Sequence, residues 1–400
     1  MTEQDILSLV DDQEVVELTR RLVMIPSENP PGEEGRVSEF IADWLRARDI
    51  PVRVVEAEKR RPNLIASYGP EAGPTFMLNG HTDVVPPGDG WTVDPYGGEL
   101  RDGRVYGRGS TDMKGGLAAM MCALEAIQKS RVQLKGRLLL VFTADEEAGG
   151  TAGARHLVDS GQVSADSCLV CEPSSLMLVT SEGGLVWLEL TVTGRSVHSV
   201  MAAEGVNAVE KTLELLDDLK PLKEKVESGR GIQGKRGVFS VNLIRGGVKV
   251  NQVPGECRVS IDVRIPYGLE ISPRDVIEEL QAILEKRSQK DPEFRASLSY
   301  REPVMPFQIP PESEIIACLR EAVHDVTNSP ARDWAPQKMI KTDDSDLYHW
   351  WTRGGIPGVY FGPGAIELAH NADEYVEVKE LRLAARIFAL VALRTLGWST

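Results

Sequence analysis

Apolar residues recur at helical spacing through the first fifty positions, as Ile6, Leu9, Val10, Val16, Leu18 and Leu22, then as Val37, Ile41, Trp44 and Leu45. That spacing predicts two amphipathic helices, separated by the breaker-rich stretch 27–32, SENPPG. The period then shortens. Apolar runs at 52–55, 64–68 and 76–79, bounded by Pro and Gly, read as strands. A helix at about 114–128, a buried strand at 138–143, a helix near 152–158 and a strand at 168–171 follow. Apolar strands alternating with helices predict an α/β fold with a mostly parallel sheet flanked by helices.

From 183 to 301 the order changes. A strand at 185–192, a helix at 206–219, strands at 238–244 and 257–264, a helix at 273–286 and a strand at 294–300 make β-α-β-β-α-β, the ferredoxin-like split βαβ. The first pattern then returns, with a helix at 312–326, strands at 338–340 and 358–361, and a closing helix at 379–393. We expect one α/β domain, residues 1–182 and 302–400, interrupted by an inserted domain, residues 183–301.

Composition narrows the class. Of the 400 residues, 42% are hydrophobic and 26% charged, which is globular rather than disordered composition. Lys and Arg number 45 against 60 Asp and Glu, a net charge of −15. That field repels phosphate backbones and anionic lipid, so neither nucleic acid nor a membrane is expected as partner. The apolar stretch 138–144, like every other apolar run in the sequence, falls far short of the ~20 residues needed to span a bilayer. The acidic, amphipathic N-terminus has no basic stretch leading into an apolar core, so no signal peptide is expected. Five cysteines, an odd number, fit a reducing cytoplasm better than a disulfide framework.

The candidate chemistry lies in short polar segments. His81 and Asp83 occur in NGHTDVVP, just after a strand. In an extended backbone residues i and i+2 share a face, so Asp83 can orient the His81 ring as the outer acid of a metal-bound imidazole does. A loop histidine paired with a neighbouring acid would look the same. Asp112, in GRGSTDMKGG before a helix, reads as a ligand or, more commonly at such a place, as an N-cap. The glycines around it lack both the dinucleotide spacing and the Gly-Lys-Ser/Thr of a phosphate loop, which argues against a dinucleotide-binding oxidoreductase.

Glu146 and Glu147 follow the most apolar strand, at the end where open α/β sheets build their sites. Adjacent side chains diverge, so one carboxylate can bind metal while the other handles protons. Glu172 ends the strand at 168–171, whose Cys168 and Cys171 lack the second pair of a zinc knuckle and read as core. His370 lies in GPGAIELAHNADEY and His198 in GRSVHSVMAAEG; His156, His324 and His349 read as surface residues. Together His81, Asp112, Glu147, Glu172 and His370 are hard oxygen and imidazole donors at strand ends and loops of one domain. Two metals sharing Asp112 would each have one His and one Glu, a set suited to zinc and also to cobalt or manganese.

In order along the chain, GHTDVVP, GRGSTDMKGG, DEEAGG, CEPS, GRSVHS, VNQVPGE, DVRIP and GPG…AHNADEY resemble the motifs of the di-zinc amidohydrolases. That family includes acetylornithine deacetylase, succinyl-diaminopimelate desuccinylase, aminoacylase and bacterial glutamate carboxypeptidase, and the resemblance covers essentially the whole chain. It implies a zinc-exopeptidase-like catalytic domain, with the inserted domain serving as lid and as the interface of a homodimer. It also implies that His81 and Glu172 hold one metal, Glu147 and His370 the other, and that Asp112 bridges them. Asp83 would orient His81, and Glu146 would be the general base. His198, Asn251 and Arg264 match positions that in relatives contact the substrate or the developing oxyanion, and Gly364 of the GPG segment matches a substrate-binding position. A cis peptide at Asp112–Met113 is implied as well.

The activity so implied is hydrolysis of a linear amide, with Glu146 taking a proton from water and passing it to the leaving amine. His198 would stabilise the oxyanion and Arg264 would grip a substrate carboxylate bidentately. The C-terminal motif favours deacylation of an N-acyl amino acid; a dipeptidase or carboxypeptidase with the same metals is the alternative. A non-catalytic metal-binding scaffold is a further class, against which Glu146 speaks, since a pure binder has no use for a base beside a ligand.

Overall fold

The computed structural model describes residues 1–334 and 345–400; the strand expected at 338–340 lies outside them. The described residues form two compact units. One comprises Met1–Thr180, Ile309–Trp334 and 345–400, the other Ser181–Gln308.

The first unit opens with α1 (Glu3–Leu7), α2 (Asp12–Val23) and α3 (Gly35–Arg46). The single helix expected over 6–22 is therefore two. The Asp11 carboxylate accepts from the N–H groups of Gln13 and Glu14 and starts a new helix there. Strands β1 (Val52–Glu58), β2 (Arg61–Tyr68) and β3 (Thr75–His81) follow, then the hairpin of β4 (Glu99–Arg101) and β5 (Arg104–Tyr106). A single π-type turn, Ser110–Lys114, leads into α4 (Gly115–Ser130). Next come β6 (Gln133–Leu134), β7 (Arg137–Thr143), α5 (Ala154–Asp159) and β8 (Ser167–Val170).

The second unit holds β9 (Ser181–Glu182), β10 (Gly184–Thr193), α6 (Ala208–Asp218), α7 (Lys220–Ser228), β11 (Val238–Gly246), β12 (Glu256–Ile265), α8 (Pro273–Lys290), β13 (Arg295–Tyr300) and β14 (Phe307–Gln308). The chain then adds α9 (Glu314–Thr327), α10 (Asp346–Thr352), β15 (Gly358–Tyr360), β16 (Tyr375–Glu377), α11 (Val378–Leu396) and β17 (Trp398–Ser399) to the first unit.

Six strands in the order β1-β2-β7-β3-β8-β15 make the central sheet of the first unit. It is parallel across β7-β3-β8-β15, as the strand–helix alternation predicts. The β1-β2-β7 edge is antiparallel. A two-residue connection, Lys59 and Arg60, joins β1 to β2, and so short a link permits only antiparallel pairing. Every residue of β3 is buried, and α4 and α11 are apolar around most of their circumference, so they pack as interior helices. The smaller sheets β16-β5-β4 and β17-β6 tie the C-terminal segment to earlier parts of the chain.

The second unit is a four-stranded antiparallel sheet in the order β11-β12-β10-β13, the ferredoxin-like arrangement. Burial alternates along β10 and β12, and one face packs Leu188, Leu190, Val259 and Ile261 against Leu215, Val276 and Leu280 of the helices. The helix expected over 206–219 is α6, and a second helix, α7, follows it directly. Pro221 at the start of α7 lacks the N–H that would continue α6, yet its fixed φ suits a first turn. No helix among the described residues is long and apolar enough to cross a membrane.

Candidate metal centre

Strands β7, β3 and β8 are parallel neighbours, so their C-terminal ends lie side by side. His81 is the last residue of β3, Glu146 and Glu147 begin a short turn after β7, and Glu172 follows β8. The His81 ring is buried, with Nε2 lying 3.0 Å from Asp112 Oδ1, 3.7 Å from Glu172 Oε1 and 3.9 Å from Glu146 Oε2. Its Nδ1 lies 2.9 Å from the main-chain carbonyl of Asp83, closer than the Asp83 carboxylate at 3.5 Å. His370 Nε2 sits 3.0 Å from Glu147 Oε2 and 3.5 Å from Asp112 Oδ2. The two oxygens of Asp112 thus face one imidazole each. Asp112 is not an N-cap: it lies inside the π-type turn with φ −120° and ψ 95°, and α4 starts three residues later. The Asp112–Met113 peptide is cis.

Buried polar contacts hold these groups. The Asp83 carboxylate accepts from the N–H groups of Glu146 (3.2 Å) and Glu147 (3.1 Å) and from the Asn29 amide (2.8 Å). It therefore orients the loop bearing Glu146 and Glu147 as much as the His81 ring. Arg61 spans Asp145 (2.7 Å) and Glu34 (2.6 Å) behind that loop. Gly364 has φ +93°, and a Cβ there would meet Thr111 at 2.9 Å, so only glycine fits beside the turn bearing Asp112. Its N–H donates to Glu380 at 2.7 Å.

The cluster attracts positive charge. Burial raises the Glu146 carboxyl well above its usual range and also raises Glu147, with neighbouring carboxylates adding to both. Burial pushes His81 down, but Glu146, Asp112 and Asp83 outweigh it and hold its pKa well above 6.5. The Asp112 and Glu147 carboxylates lift His370 to about 10. Protons on the rings thus supply charge that a cation would also supply. The spacing fits one. Ligand atoms about 2 Å from a tetrahedral ion lie roughly 3.3 Å apart, and the 3.0–3.7 Å separations around both imidazoles bracket that value. Among the described residues, His81, Glu146 and Glu172 form one group able to hold an ion, and His81, Asp112 and Glu147 another.

His198, Asn251 and Arg264 belong to the second unit. The first two sit on adjoining segments, where the Asn251 carbonyl accepts the Ser199 N–H at 3.0 Å and His198 bridges to Gln252. Arg264, on β12, places Nε 2.9 Å from the Asp262 carboxylate.

One surface assignment is corrected. His349 is buried on the inner side of α10, its Nε2 is 3.3 Å from the Gly149 carbonyl, and burial pushes its pKa down to about 4. Gly150 makes the room, since a Cβ there would come within 3.1 Å of the ring. Three groups beside the site were not singled out from sequence. Asp346 is buried, accepts from Thr143 and is raised by burial to about 6. Arg108 and Glu374 form a buried ion pair next to Asp112. Glu374 stands in the NADEY segment four residues after His370, but that segment is not helical, so the spacing carried no signal of its role. All five cysteines are free; Cys168 and Cys171 are core residues.

A mostly parallel α/β sheet with imidazole and carboxylate donors gathered at its strand ends defines the architecture of a metallohydrolase. Residues 77–394 match the model of peptidase family M20/M25/M40, and the chain belongs to that family. Among solved structures, it is similar to a tripeptidase from Staphylococcus aureus (21% identity over 97% of this chain and 99% of that one, TM-score 0.76). It is also similar to human carnosine dipeptidase 1 (17%, 99% and 100%, TM-score 0.70). A third likeness is to a dinuclear metal-binding peptidase of the same family from Bacillus subtilis (16%, 96% and 98%, TM-score 0.69). At these identities the likeness is one of fold.

Proposed function

We propose that this chain is a metal-dependent amide hydrolase that removes the acyl group from a small N-acyl amino acid. The observation that carries the reading is Asp112, with one carboxylate oxygen toward each of two imidazoles and Glu146 within reach of His81. His81 and Glu172 would hold one divalent cation, Glu147 and His370 a second, with Asp112 between them; zinc suits the donor set, and cobalt or manganese would also fit. When bound, such ions lower the pKa of water toward about 7 and polarise a carbonyl. Glu146, with Oε2 3.9 Å from His81 Nε2, would as the carboxylate take a proton from the attacking water and deliver it to the leaving amine. His198 would donate to the oxyanion, while Asn251, Arg264 and the Gly364 segment would orient the substrate, with Arg264 exchanging Asp262 for a substrate carboxylate.

A second reading, hydrolysis of a dipeptide or of a C-terminal residue, is favoured by the peptidase activities of the similar solved structures. A screen of the zinc-loaded protein against N-acyl amino acids and dipeptides separates the two. Preferential release of acyl groups supports the first, preferential dipeptide cleavage replaces it with the second, and no hydrolysis of either class defeats both.

We also infer a homodimer formed through the second unit. Its edge strand β11 leaves Leu243 and Ile244 half exposed, and Val248 and Val250 beyond it are fully exposed, an apolar edge that soluble proteins usually cover. Sedimentation should give a dimer that Ile244→Lys disrupts; a monomeric native protein would contradict this.

A further inference from the structure

Glu374 lies four residues beyond His370 and is 1% exposed. It turns to the segment bearing Asp112. Oε1 accepts the N–H groups of Thr111 (2.8 Å) and Asp112 (3.0 Å), and Oε2 accepts from Arg108, itself buried. Three further contacts lie alongside. The Glu374 carbonyl accepts the Gly107 N–H at 2.9 Å, Thr111 Oγ1 donates to the Tyr375 carbonyl, and Tyr375–Glu377 pair antiparallel with Arg104–Tyr106.

The donors to Oε1 are main-chain N–H groups in the first positions of the π-type turn that leads into α4; the turn itself leaves them unbonded, and Gly109 before it has no side chain to cap them. An N-cap side chain would normally accept them from the residue before the helix. Here the acceptor comes from 262 residues further along the chain. A buried Glu–Arg pair is a weak stabiliser, because desolvation consumes most of the Coulombic gain. Its geometric consequence is larger. One carboxylate fixes the backbone of Asp112 relative to the segment that carries His370, and Asp112 and His370 meet at 3.5 Å.

We propose that Glu374 is a positioning residue that sets the Asp112 turn against the His370 segment before any cation binds. This rests on the reading of Asp112 and His370 as metal ligands. Partners of this kind behind a metal ligand are worth about 10- to 100-fold in affinity.

The test compares two double variants that both remove the ion pair. Glu374→Gln with Arg108→Met keeps an oxygen for the two N–H groups; Glu374→Leu with Arg108→Met does not. Zn2+ titration should show the weaker equivalent within about threefold of native in the Gln variant and at least about tenfold weaker in the Leu variant. Equal affinities in the two would overturn the proposal. His370→Ala serves as the control. If it too leaves Zn2+ affinity unchanged, the metal reading fails; if it weakens Zn2+ while the double variants match, only the role of Glu374 fails.

Should either double variant fail to fold, amide exchange in the native protein decides. The Thr111 and Asp112 amides should be protected at least about 100-fold without metal and little further changed by Zn2+. Fast exchange that slows only on adding Zn2+ would show that the ion orders the turn, and would overturn the proposal.

Discussion

In the first unit His81, Asp112 and Glu172 are buried at strand ends and turns. A layer of buried polar groups stands behind the site: Asp83 with Asn29, Arg61 with Glu34 and Asp145, and Glu374 with Arg108. In the second unit His198 is exposed just before a short helical turn, its Nδ1 accepting the Val200 N–H at 3.3 Å, and Val200 on that turn is 82% exposed. One region is fixed before a ligand arrives, and the other is held by little more than its own backbone. The contrast follows from the chemistry proposed for each. A cation needs its donors already converged, because each like charge brought into a buried site is costly without the others in place. A group that meets the substrate can be ordered by the substrate itself, at the expense of some binding energy.

The comparison is sharpest at Glu146, which belongs to the rigid region but is assigned to proton transfer. Glu146→Gln removes the proton carrier and preserves shape, so kcat should fall about 10²–10⁴-fold while metal content stays native. Near-native turnover would move the base elsewhere. In the exposed region His198→Ala should lower kcat about 10²-fold, again without loss of metal. An effect confined to KM would make His198 a binding group alone.

The smallest effect lies behind the site. His349 has its pKa pushed down from 6.5 to about 4, so between these values the unfolded chain binds more protons and stability falls as pH drops. Relative to native protein, His349→Asn should therefore gain about 2 kcal/mol between pH 8 and pH 5, read from denaturant midpoints at each pH. A constant difference across that range would contradict the neutral buried ring. Asp346, raised to about 6, titrates with the opposite sign over a similar window, so the native profile alone will look flatter than either group would make it.

What the sequence made legible was whatever is local. The donors stand in short motifs at the ends of apolar strands, and a period of two followed by a break marks such an end wherever the chain later goes. The β-α-β-β-α-β order of the second unit could be read for the same reason, since its core repeats along each element. What stayed hidden depends on distant partners. Glu374 meets Asp112 across 262 residues and Asp346 meets Thr143 across 203, and no periodicity reports such pairs. His349 looked like a surface residue because its space is made by Gly150 on another segment. The break between α1 and α2 was local but turned on Asp11, whose capping oxygen outweighs an apolar spacing that would otherwise continue.

Metal content tests the central claim most directly, because it concerns the rigid region alone and does not depend on choosing a substrate. Protein equilibrated with Zn2+ and freed of excess should carry about two equivalents per chain by elemental analysis. His370→Ala should reduce this to about one or less, and His81→Ala should remove essentially all of it. Native protein that retains no zinc, or either variant that keeps both equivalents, would contradict the account.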